Sequence, residues 1–371
     1  MNDQPHCPLF TIIPPEIRNR IYEFSLEYGD TDPSTRPAYR KRALYYRPGF
    51  QRPRRINTAL LQTCRRIYFE AYLVPIATNE HTFWLHRAPP HVKNAASPEQ
   101  YFGRMTPDQR AAVQHLHFFM QQYCLEGLWG QICRSLGGIG VRPRKITITL
   151  RHSDWWLWED NYDLGIDPFQ DRRVDAREMR RWMQVPGYRN KVIRRNNAWG
   201  YQFQHVPSLE EIEIEFETVM RKKAQLDAIV AWAAKEWIFP LGGSDNSKKN
   251  KAFVADERTK RVQKWIGAKE SLLRQYIDDD GTHLLRNPFH NNRICVSDIS
   301  PGLNYSLSTL ATAVTPLETE ATVPAGPAPT STTAVASEKP PSDGPEQGFD
   351  PETEEEYYVV FLTWTRQEVV G

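Results

Sequence analysis

Two histidines, His115 and His117, fall on one face of a short alternating stretch, and imidazoles at that spacing can share a metal ion. No third ligand lies near them in the sequence, so they read as an exposed strand pair. His152 and Asp154 flank the end of another alternating stretch, with no nucleophile tied to them. Glu211, Glu213, Glu215 and Glu217 form a carboxylate ladder that would attract a cation or a basic partner. Lys145 and Arg151 on a neighbouring strand would equally pair with them, each pair contributing roughly 0.2–1 kcal/mol. Gly137, Gly138 and Gly140 follow a helical pattern and precede a strand. A phosphate loop needs the reverse order, with its amides at a helix N-terminus, so these glycines read as a helix stop and turn. G-x-S-x-G, P-loop, G-x-G-x-x-G and H-E-x-x-H patterns are all missing. The residues therefore point to a binding protein ahead of an enzyme, an unrecognised hydrolase or transferase being the minority reading, with no cofactor implied.

Two further stretches bear on binding. Asp154–Glu159 (D-W-W-L-W-E) holds three tryptophans in four residues. They either anchor an insertion onto the core or line a recognition pocket. Residues 36–55 hold eight Lys or Arg and no acid, interleaved with Tyr39, Tyr45, Tyr46 and Phe50. That segment reads as a solvated loop joining two helices. It also suits nuclear import, or a nucleic-acid contact through Arg40, Lys41, Arg42, Arg52, Arg54 and Arg55.

The elements that must position these residues follow from periodicity. In Leu9–Leu26, Ile13, Ile17, Ile21 and Phe24 recur at helical steps. Pro14 and Pro15 suit a first turn and Glu16 the positive end of the dipole, while Arg18, Asn19, Arg20 and Glu23 fill the other side. A second helix is predicted over Ala59–Tyr72, with Leu60, Leu61, Cys64, Ile67, Tyr68 and Ala71 as its stripe, each stripe covering the other. Ile76–Leu85 reads as a turn and a short strand. Strands are predicted at His115–Met120, Lys145–Arg151 and Leu209–Glu217, each with one apolar and one polar face. Helices are predicted around 125–136, 171–183, 221–237 and 262–276, with a short strand near 293–296. Strands joined through helices imply a parallel sheet. Polar alternate faces imply helices on one side only and an open polar surface on the other.

At 371 residues the chain suits one large domain or two ordinary ones. The net charge of +2 gives no overall polyelectrolyte case for nucleic acid. No apolar run approaches the roughly 18–20 residues of a membrane span, and the first residues lack a signal-peptide core. Five cysteines without C-x-x-C spacing read as reduced thiols in a cytoplasmic or nuclear protein. Ser308–Pro345 holds seven Pro and twelve Ser or Thr with no apolar period, so residues 308–348 are expected to be a disordered linker. Tyr357–Trp364 (Y-Y-V-V-F-L-T-W) is apolar on both faces and is expected to return as a central strand.

The stretch Ile13–Ile17 (I-P-P-E-I) with Ile21-Tyr22, followed by Leu60–Ile67 (L-L-Q-T-C-R-R-I), resembles the F-box-like domains of many fungal proteins of unknown function. The resemblance covers roughly residues 9–86. It implies an F-box-like helical unit over residues 1–86, with basic loop 29–57 inside it. The remainder, residues 100–300, is then an irregular, leucine-rich-repeat-like two-layer α/β recognition domain, giving an α+β to α/β fold. In such proteins the helical unit docks on a Skp1-type adaptor of a ubiquitin ligase, and the rest of the chain selects a client protein. Carried onto this chain, docking falls to Ile13, Pro14, Ile17, Ile21, Tyr22 and Phe24. A competing expectation keeps these helices purely internal and binds nucleic acid or peptide through residues 36–55.

Overall fold

The computed structural model describes residues 6–30, 38–89, 92, 98–188, 197–241, 250–273 and 350–369. Helix α1 spans Pro8–Thr11 and α2 spans Pro15–Leu26, entered through Pro14 with Glu16 in its first turn. The expected second helix is broken. Ala59–Gln62 makes a 3-10 turn, Cys64 is extended, and α3 runs from Arg65 to Ala71 with the Cys64 sulfur accepting the Ile67 amide at 3.4 Å. A short α4, Val74–Thr78, follows. Tyr22 and Leu26 of α2 pack on Ile67 and Ala71 of α3 to make a small core. Asn79 closes it, donating to the carbonyls of Leu26 and Pro75, each at 2.8 Å.

The face of α2 that packs is not the isoleucine stripe. Its buried residues are Arg18, Tyr22 and Leu26, one helical turn apart. Arg18, expected on the solvent side, is drawn inward by Glu70 of α3. Tyr22, expected in a docking surface, is fully buried and donates to the same carboxylate at 2.9 Å.

Strands β1 (Tyr28–Asp30) and β2 (Arg54–Ile56) pair antiparallel and bracket the basic segment. The main sheet is mixed. Strands β3 (Glu80–Trp84), β4 (His115–Phe119), β5 (Lys145–Leu150) and β6 (Glu211–Val219) run parallel. Strands β7 (Ile238–Pro240), β8 (Asn250–Ala255), β9 (Arg261–Ala268) and β10 (Glu354–Val369) add an antiparallel half. The order is β3-β4-β5-β6-β10-β8-β7, with β9 also on β10. The C-terminal residues thus sit in the middle of the sheet, β10 pairing with β6, β8 and β9.

Helices α5 (Pro98–Gly103) and α6 (Pro107–Ala112) connect β3 to β4, and α7 (Gln122–Gly127) and α8 (Trp129–Gly138) connect β4 to β5. Helix α9 (Ala176–Met183) lies in the long β5–β6 connection, and α10 (Lys223–Glu236) follows β6. Leu116, Phe118, Ile146, Ile148, Ile212 and Ile214 join Trp129, Leu136, Ile229 and Trp237 in the main core.

Three expectations need correction. The polar sheet face is not an open platform: His117, Thr147, Thr149, Glu213, Glu215 and Glu217 are all buried. Segment 38–50 lays Arg47 on Glu215 and Phe50 on His117, and Arg261 and Trp265 of β9 reach Glu213 and Glu217. The predicted helix over 262–276 is strand β9 up to Ala268, because a neighbour distant in sequence supplies a ladder; Trp265 stacks on Tyr357 of β10 at 4.5 Å. The helix predicted around 125–136 is two helices, α7 and α8, meeting at Leu128. The strand expected near 293–296 and the linker 308–348 lie outside the described residues.

Candidate functional site

The helical unit carries the first candidate surface. Ile17 is 52% exposed and Phe24 70% exposed, on the side of α2 turned away from Tyr22 and Leu26. Ile12, at the end of α1, and Tyr68 and Phe69 of α3 are exposed as well. Ile13 and Ile21 are half-buried and Pro14 is exposed. The structure therefore leaves Pro14, Ile17 and Phe24 accessible and removes Tyr22 from the set.

The basic segment is the second. Arg40, Lys41, Arg42, Arg54 and Arg55 are exposed and Arg52 is half-buried, so the run does not form one free cationic face. Lys41 pairs with Glu354 at 3.0 Å, and Arg54 lies 3.7 Å from Glu80 while its guanidinium covers Phe50 at 4.2 Å. Arg47, absent from the expected contacts, is only 4% exposed and meets Glu215 at 3.0 Å and Glu217 at 3.9 Å. Phe50 packs edge-on against Phe119, His117 and Trp84.

Beneath this segment runs a ladder of polar side chains. His115 and His117 do not offer a metal pair: their Nε2 atoms lie 2.9 Å and 2.7 Å from the hydroxyls of Thr147 and Thr149. Thr149 donates onward to Glu215 at 2.8 Å. Glu80 stands 2.9 Å from His117 Nδ1, close enough for charge to matter. Burial works against the Glu80 charge, yet His117 and then His115 hold its carboxyl well below the usual range. Glu215 shows the same balance, burial opposed mainly by Arg47. Lys145 pairs with Glu211 at 2.7 Å and Glu213 at 3.2 Å, whereas Arg151 turns to Asp154 at 2.6 Å. His152 and Asp154 consequently form no dyad. Burial, with Lys222 and Arg221, pushes His152 down to about 4.

The third surface is a cleft of about 200 Å³ in the β5–β6 connection, lined by Trp155, Trp156, Tyr162, Arg173, Arg177 and Arg180 among others. The tryptophan cluster divides between core and cleft. Trp155 and Trp158 are buried in the core while Trp156 is half-exposed at the cleft. Leu157, between Trp156 and Trp158, has φ +52°, and this left-handed step lets the neighbours diverge. Trp155 donates its indole N–H to the Glu217 carbonyl at 2.8 Å, and Trp156 donates to Glu126 at 2.7 Å. Gln122 also donates to Glu126, at 2.8 Å, and burial pushes that carboxyl up to about 7 against both hydrogen bonds. Arg173 and Arg177 were not singled out by sequence; the signal was the arginine-dense run of Arg172, Arg173, Arg177, Arg180 and Arg181 beside the tryptophans.

Among the described residues no cluster of three or more His, Cys, Asp or Glu is arranged to hold a metal ion, and no helix is long and apolar enough to cross a membrane. Compared with known proteins, the chain matches no family model, no curated protein and no solved structure.

Proposed function

We propose that the protein is a non-catalytic interaction module: its F-box-like helical unit docks on a Skp1-type adaptor, and its leucine-rich-repeat-like α/β unit selects a client. It would then act in the cytoplasm or nucleus as a recognition subunit of a ubiquitin ligase. The observation that carries this reading is the exposure of Ile17 and Phe24 on a helix whose own core side is Tyr22 and Leu26. Large apolar side chains kept out of the core by a chain that has a core to offer are the material of a protein interface. Use of Lys41, Arg47 and Arg54 by the protein's own carboxylates favours the helical surface over loop 36–55.

The test is a binding measurement between the full chain and a purified Skp1-type adaptor. Ile17→Ala with Phe24→Ala should leave the melting curve in place and weaken binding by at least about tenfold. No detectable binding by the unaltered chain would end the adaptor reading.

A further inference from the structure

We infer that the cleft between Trp156 and α9 is a binding site for a small organic anion, one planar ring bearing a carboxylate or phosphate. The inference stands apart from adaptor docking and uses none of the residues proposed for it.

Size comes first. A cavity of roughly 150 Å³ accepts a benzene ring, so about 200 Å³ accepts one ring with a small charged substituent. That is below the roughly 300–1,000 Å³ of sites for larger ligands.

Chemistry comes second, and it follows from which groups are already used. The indole N–H groups of Trp155 and Trp156 are both spent behind the wall, on the Glu217 carbonyl and the Glu126 carboxyl. Trp156 therefore offers ring surface and no donor, and Trp155 backs the wall from the core. Of the two carboxylates in the lining, Asp163 is paired with a cation and Asp175 is engaged at one oxygen. Asp163 accepts from Arg180 at 3.1 Å and from Gln225 at 2.8 Å, and Asp175 accepts the Arg177 amide at 2.7 Å as the cap of α9. Arg180 is thereby neutralised. Neither Arg173 nor Arg177 forms a salt bridge among the described residues; Arg173 lies over the Trp156 ring at 5.5 Å, where its charge is felt by the buried Glu126 carboxyl, and Arg177 is exposed. What the cleft offers a ligand is two guanidinium groups without a salt-bridge partner, one of them resting on Trp156, and aromatic surface. Guanidinium forks bind carboxylate and phosphate, and an indole face takes a flat ring.

The experiment is calorimetric titration of the full chain with phenyl phosphate, benzoate, inorganic phosphate and benzyl alcohol. At least one aryl anion should bind, with inorganic phosphate and benzyl alcohol weaker by about tenfold or more. Arg173→Gln with Arg177→Gln should remove that binding while the cooperative melt is kept and shifts by no more than a few degrees, since Arg177 is exposed and Arg173 only half-buried over Trp156. Failure of both aryl anions to bind at millimolar concentration would overturn the inference. So would binding that the double variant leaves intact, or inorganic phosphate binding as tightly as phenyl phosphate. A capped phosphotyrosine peptide binding more tightly than phenyl phosphate would overturn the small-molecule assignment in favour of a polypeptide. None of these outcomes depends on whether a Skp1-type adaptor binds α2.

Discussion

Glu70 of α3 receives two N–H groups of Arg18 from α2, at 3.0 Å on one carboxylate oxygen and 3.3 Å on the other. A third Arg18 N–H donates to the Ile13 carbonyl at 2.9 Å, so the guanidinium ties the start of α2 to α3. Tyr22 and Arg66 complete the carboxylate's partners, at 2.9 Å and 3.2 Å. Burial disfavours the Glu70 charge, but these donors, Arg18 foremost, hold its carboxyl below the usual range. This clamp fixes the rotation of α2 about its axis. Tyr22 goes in, and Ile17 and Phe24 go out.

The clamp separates two substitutions on one helix. Tyr22→Ala empties the small core and should cost about 3–5 kcal/mol in urea unfolding. Ile17→Ala, on the exposed side, should stay within about 0.5 kcal/mol of the unaltered chain. Equal losses would mean that α2 packs through its isoleucines.

Arg47 and Glu215 give a second test. Arg47→Met leaves Glu215 buried beside Glu217 without its cation and should cost about 3–5 kcal/mol at neutral pH. In the unaltered protein the Glu215 pKa lies below its unfolded value. Its contribution is therefore present above the unfolded pKa and lost as pH falls through the folded one. In the variant, burial and Glu80 are opposed only by His117 and the Thr149 hydroxyl, and the folded carboxyl takes up a proton at a higher pH. The deficit should thus narrow as pH falls from neutral towards the carboxylate range, as read from unfolding free energies across that interval. A deficit independent of pH would remove Glu215 as its cause.

Glu126 has the opposite sign. Burial raises its pKa to about 7, so the folded chain keeps a proton that the unfolded chain releases at lower pH. Its contribution to stability should fall as pH rises from the ordinary carboxylate range through about 7, and level off above that. Glu126→Gln should abolish this component of the pH slope, whatever it does to absolute stability. Parallel melting-temperature profiles for the two proteins would contradict the assignment.

Strand β10 should be indispensable. Trp364 is fully buried, stacks on Trp237 at 6.1 Å and donates to the Trp237 carbonyl at 2.8 Å. Trp364→Ala should cost about 3–5 kcal/mol. Removing residues 350–371 takes away a strand paired on both sides and should abolish the cooperative melt seen by circular dichroism. An unchanged melt would show that the sheet closes without it.

Local pattern was enough to place several elements. The period-two alternation of His115–Met120, Lys145–Arg151 and Leu209–Glu217 corresponds to β4, β5 and β6, and the helical period beyond Arg221 corresponds to α10. The doubly apolar run at Tyr357–Trp364 marked β10. Such signals are local because they record which side of an element meets water.

Tertiary structure decided the rest. Arg18 and Tyr22 lie on a stripe of α2 that competes with Ile13, Ile17 and Ile21, and only Glu70, some fifty residues away, selects between them. Arg261–Ala268 carries no period-two alternation and is legible as a strand only once β10 is beside it. The polar strand faces read as solvated because nothing in their own sequence announces Arg47 and Phe50 as their cover. A carboxylate ladder is as compatible with a buried, paired network as with an open surface. The side chain that neutralises it comes from a distant segment, so pairing across the chain settled what periodicity left open.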